Sequence, residues 1–97
     1  MATYSVRIEL YGSPSSEVYT NLHSAMISKG FSRTFLDAVA NKSFEFPHAM
    51  YGYFNQSTTA NVVELAKSAA ATIWKDFSVF VSSTEVRWEY YNLKSPK

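Results

Sequence analysis

Tyr4, Val6, Ile8 and Leu10 alternate with Ser5, Arg7 and Glu9. That period of two predicts a half-buried strand with one apolar and one polar face. Gly12-Ser13-Pro14 breaks the pattern, with Ser13 placed to cap a helix and Pro14 at its first position. Val18, Tyr19, Leu22, Ala25 and Met26 then recur at helical spacing, so residues 14–29 read as an amphipathic helix. Lys29 suits the negative end of its dipole, and Gly30 supplies a left-handed cap.

Residues 31–36 read as a second strand, although a helix across 31–39 also fits, and 37–43 as a polar connection with Asn41-Lys42-Ser43 at its tip. The aromatic stretch 44–54 contains Pro47, which lacks an amide hydrogen. Pro47 is therefore expected at an edge or bulge, with the better strand over 49–54. Capping residues fill 55–59. A second helix is predicted over 60–74, with Val62, Leu65, Ala66, Ala69 and Ile73 as its buried stripe. Its alanines favour helix and let it lie close on a sheet. Phe77, Val79 and Val81 alternate with Ser78, Phe80 and Ser82, giving a fourth strand. Residues 85–91 suggest a fifth, with Val86, Trp88 and Tyr90 on one face, and 94–97 a loose tail.

The order is β-α-β-β-α-β with an extra C-terminal strand. It predicts a single α+β domain of ferredoxin-like type, spanning 1–97, with two helices on one face of an antiparallel sheet. At 46% hydrophobic residues the chain is globular. Without cysteine it has neither disulfides nor thiolate metal ligands. It shows no leader pattern and no apolar run of the ~18 residues a membrane span requires, so a cytoplasmic protein without membrane contact is expected. A formal charge of +1 means that any nucleic-acid contact is local rather than bulk attraction.

Recognisable chemistry is sparse. Gly12, Gly30 and Gly52 are scattered and form no phosphate-cradling loop. His23 and His48 lack metal-ligand spacing, and no serine lies in a nucleophile elbow. No metal or small-molecule cofactor is expected. The open face of the first strand shows Ser5, Arg7 and Glu9, without the aromatic on which an RNA-recognition motif stacks bases. His23 sits mid-helix at the margin of the apolar stripe, where an imidazole suits acid–base work near neutrality. His48 reads as a surface residue. Arg7, Arg33 and Arg87 lie on strand segments, placed either to grip phosphate or to pair with Glu9, Glu85 or Glu89. The aromatic run around Trp88 and Tyr90 suggests a strand that docks on its own sheet or a partner's.

Tyr4-Ser5-Val6, Pro14-Ser15-Ser16, the series Val18, Tyr19, Leu22, Ser24, Met26, and Gly30-Phe31-Ser32 resemble the N-terminal half of the GhoS-type antitoxin family. Phe46-Pro47-His48-Ala49 with Tyr51, and Phe77-Ser78-Val79 with Val81, resemble the rest of its bacterial members. The resemblance covers most of the chain and lies in core, cap and turn residues. It implies a ferredoxin-like fold similar to the small CRISPR-adaptation nucleases. It also implies an antitoxin of type V that binds single-stranded RNA as a homodimer, with metal-independent endoribonuclease activity on toxin messenger RNA. Where the best-known member has arginines on helix one, this chain has Asn21 and His23. On this reading His23 is the catalytic residue, and Arg7, Arg33 and Asn21 contact RNA. The competing expectation is a non-catalytic interaction or regulatory module that dimerises through its sheet.

Overall fold

The computed structural model describes residues 3–37, 39–84, 93, 94 and 96. The elements follow the order β1 (Thr3–Leu10), α1 (Ser16–Ser28), β2 (Thr34–Asp37), β3 (Lys42–Glu45), β4 (Met50–Tyr53), α2 (Thr59–Ala71) and β5 (Phe77–Thr84). The fold is α+β, with two helices and antiparallel sheets. One sheet has the order β4-β1-β5, and β2 and β3 form a separate two-stranded ribbon.

The alternation along β1 sets the layers. Tyr4, Val6, Ile8 and Leu10 are buried, while Arg7 and Glu9 face water. The buried four share one core with Leu22 and Met26 of α1 and with Val62, Ala66, Ala69 and Ala70 of α2. Both helices therefore cover the same face of the sheet. The small side chains let α2 lie close, and it packs on β1, β5 and α1. Leu65, expected in the stripe, is half-buried, and Ile73 lies past the helix end. The Trp74 indole N–H donates to the Tyr11 carbonyl at 2.7 Å, and the Tyr11 amide donates to the Asp76 carbonyl at 2.9 Å, which fastens the end of α2 to the exit of β1. The buried Tyr4 ring sends its hydroxyl to the Ser57 carbonyl ahead of α2.

Several boundaries differ from expectation. The cap of α1 is Ser15 rather than Ser13, and its side chain accepts from the Val18 amide at 3.4 Å. Ser13 takes a left-handed conformation, with φ of 59°, which removes it from the capping geometry. Gly30 does adopt the left-handed conformation foreseen, with φ of 95°. Phe31 is in the core but not in a strand. Only Ser32 reaches the main sheet, through a two-way exchange of backbone hydrogen bonds with Gly52 at 2.9 and 2.8 Å. The chain then leaves the sheet as the β2–β3 ribbon. Asp37 belongs to β2 rather than to the connection, and its buried carboxylate closes the turn by accepting the Val39 and Ala40 amides. A strand not expected from the sequence thus lies mid-chain, as β3. The expected strand over 85–91 lies outside the described residues. The tail is tied at its start, because the Glu45 amide donates to the Lys94 carbonyl at 2.8 Å.

The ribbon is held to the sheet by rings. Phe35 packs against Phe44 and Phe46, with centroids 6.1 and 4.9 Å apart. A Cβ on Gly52 would lie 2.8 Å from the Phe46 ring and 2.7 Å from Phe54. Glycine is therefore required there by close approach. Gly52→Ala is expected to force Phe46 out of its place, at a cost of about 1–3 kcal/mol. Urea denaturation measures this, and a midpoint equal to the native one would show that the ring yields freely.

Candidate phosphate site

Four elements meet where the buried face of the sheet reaches the margin of α1. In α1, Tyr19 and His23 stand four residues apart, so both lie on one side of the helix. In β4, Tyr51 points toward the helices and is fully buried. The segment after α1 carries Arg33, and the turn between β3 and β4 carries His48.

That turn explains the position of His48. Pro47 cannot donate to a ladder, its carbonyl accepts the Met50 amide at 3.1 Å, and Ala49 is left-handed with φ of 58°. The reversal sets His48 over α1, with its ring 4.4 Å from that of Tyr19 and 6.4 Å from that of His23. His23 Nδ1 lies 2.6 Å from the Tyr51 hydroxyl oxygen.

Electrostatics distinguish this cluster from an ordinary surface patch. Partial burial, with smaller contributions in the same direction from the charges of Arg33 and His48, lowers His23 from its usual 6.5 to about 4. Burial pushes the Tyr51 hydroxyl up, which keeps it protonated against the opposing pull of Arg33. Among the described residues, neither Arg33 nor Arg7 has a carboxylate within ion-pair distance, so Glu9 does not pair with either of them. Glu85, Arg87 and Glu89 lie outside the described residues. Two imidazoles, a guanidinium and a phenol, with no balancing carboxylate among the described residues, form a surface suited to an anion.

The sequence-derived site residues divide. His23 and Arg33 come together. Asn21 is exposed on α1 and two residues from His23, so it faces another direction. Arg7 lies on the opposite, open face of the sheet, across from Met50 of β4 and Phe80 of β5. Phe80 is 66% exposed, so that face does carry an aromatic, on β5 rather than on β1. His48, Tyr19 and Tyr51 are the cluster members missed in the sequence. A signal existed in Pro47-His48-Ala49, where a proline-bounded turn precedes a strand, but nothing in the sequence showed which element the turn would overlie. No group of three or more potential metal ligands occurs among the described residues. No described helix is long and apolar enough to cross a membrane.

No protein-family model matches the chain, and no curated protein matches it at a significant level.

The lowered value of His23 gives a signed pH dependence. The unfolded chain takes up the proton more readily than the folded one, so this contribution to stability is complete above about pH 6.5 and is lost as pH falls toward 4. His23→Gln is expected to flatten that decline in urea melts across this range. An unchanged slope would assign the acid sensitivity to other groups.

Proposed function

We propose that this chain is a cytoplasmic single-stranded RNA-binding protein of ferredoxin-like fold and GhoS antitoxin type, and that it engages the RNA phosphate at His23, His48 and Arg33. The observation that carries this reading is the convergence of both histidines and an arginine without an ion-pair partner among the described residues, from three separate segments, with Tyr51 beneath them. A net charge of +1 is too small for bulk attraction to polyanions, so a local cationic cluster is the form that RNA affinity takes here.

The fold assignment is supported by the Ser32–Gly52 bridge. It extends the order β5-β1-β4 by one further antiparallel position, and the first crossover then returns to the far edge of the sheet. This supports a split βαβ arrangement whose edge is reduced to a single residue pair because the chain turns away into the ribbon.

Cleavage without metal requires an imidazole within reach of the ribose hydroxyl, and both histidines are candidates for the role. The direct test is retention and cleavage of labelled single-stranded RNA by the purified chain, with and without EDTA. Arg33→Gln is expected to weaken binding and to lower the slope of affinity against salt by about one. His48→Ala is expected to weaken binding and to remove EDTA-resistant cleavage. Native behaviour in both variants would take RNA away from this cluster.

A second reading, an interaction module that pairs with another copy through its sheet, is favoured by Phe80, which is exposed on the open face across Arg7 from Met50. Sedimentation of the native and Phe80→Ser chains separates the two readings, because self-association that depends on Phe80 belongs to the second.

A further inference from the structure

The two imidazoles are not equivalent, and the reason lies in Tyr51. Its side chain is fully buried, and among the described residues its hydroxyl has one hydrogen-bond partner, His23 Nδ1 at 2.6 Å. A buried hydroxyl hydrogen with no acceptor is costly, by about 1–3 kcal/mol. If Nδ1 carried a hydrogen and donated to Tyr51, the phenol hydrogen would be left without an acceptor. The hydroxyl therefore donates and Nδ1 accepts. Nδ1 then has no hydrogen, and in the neutral ring the hydrogen sits on Nε2.

The groups around His23 hold it in that form. Tyr51 approaches from β4, Arg33 from the segment after α1 and His48 from the β3–β4 turn, while Tyr19 stands one turn earlier on α1. Two of these carry or can carry positive charge, and Tyr51 is a donor aimed at the lone pair that a second proton would occupy. His48 differs. It is exposed, its ring packs against Tyr19 at a tilt of 58°, and neither of its nitrogens has a hydrogen-bond partner among the described residues.

We infer that His23 is a fixed neutral donor, locked by Tyr51 with its hydrogen on Nε2, and that the proton-carrying imidazole of this site is His48. The second half rests on the RNA reading above. In that setting the His23 Nε2–H donates to a non-bridging phosphoryl oxygen and positions the phosphate, while His48 does the proton transfer. The step balances with one imidazole. His48 takes the proton of the ribose 2′-hydroxyl, and the 2′-oxygen attacks phosphorus. The bond from phosphorus to the 5′-oxygen breaks, and His48 returns the proton to that oxygen. The products are a 2′,3′-cyclic phosphate and a 5′-hydroxyl, with no metal, oxidant or further reactant required.

The test is long-range proton–nitrogen correlation NMR on the full chain labelled with ¹⁵N, followed from about pH 8 to about pH 5. His23 is expected to keep its hydrogen on Nε2 and to show no titration across that interval. Tyr51→Phe, which keeps the ring and removes the donor, is expected to shift the titration of His23 upward and to loosen its tautomer. A hydrogen on Nδ1 in the native chain overturns the inference. So does protonation of His23 above pH 6, or a Tyr51→Phe spectrum in which the His23 nitrogens are unchanged. Addition of a 2′-O-methyl oligoribonucleotide, which binds but cannot be cleaved, is expected to perturb His23 Nε2 and both His48 nitrogens. If that probe moves neither ring while the tautomer stays fixed, the RNA reading and the role of His48 fall together, and the lock on His23 stands.

Discussion

The strand β1 is paired on both sides, with β4 along one edge and β5 along the other. A strand in that position cannot slip. Its side chains alternate between faces, so a shift of one residue would drive Val6 and Ile8 into water and Arg7 and Glu9 under the helices. Through the register of β1, β4 is fixed so that Tyr51 lies opposite Val6, on the helix side, and Met50 opposite Arg7, on the open side. Everything at the candidate site follows from that registration, because Tyr51 is the buried post on which His23 rests.

Tyr51 also shows how a core acquires chemistry. A phenylalanine there would fill much the same volume and make no demand on its neighbours. The hydroxyl demands an acceptor inside the protein, and His23 on α1 is the group that answers. Satisfying a buried phenol thereby orients an imidazole at the rim of the core. Arg33 comes to the same place by a different route. The Ser32–Gly52 bridge pins the chain to β4, so the residue that follows it stays beside Tyr51 before the ribbon departs. His48 arrives through a proline-bounded reversal with a left-handed alanine, a conformation that costs roughly 1–2 kcal/mol for a residue with a Cβ. Packing of His48 on Tyr19 accompanies that cost.

The two faces of the sheet have separate characters. One is sealed by helices and bears the histidine cluster at its margin. The other is covered at one end by Phe46 and Phe54 over Gly52, and further along it carries Arg7 between Met50 and the exposed Phe80. Arg7 and Arg33, which read alike along the sequence, therefore serve different surfaces.

Both helices, β1, β5 and the apolar face of each were legible in the sequence, because periods of two and of 3.6 are local properties that burial only has to honour. The left-handed Gly30 and the break at Pro47 were legible for the same reason: the restriction belongs to the residue itself. The cap was misplaced by two residues, since three serines near Pro14 offer similar oxygens and only the path out of β1 selects among them. The strand at 31–36 became one bridge and a separate ribbon because its destination depends on Phe35, Phe44 and Phe46 finding each other, which no local pattern encodes. The meeting of His23, His48, Arg33 and Tyr51 was decided by the tertiary structure alone. The first and last of them are 28 residues apart in the chain, and what joins them is strand register and a turn direction, properties that exist only once the sheet has formed.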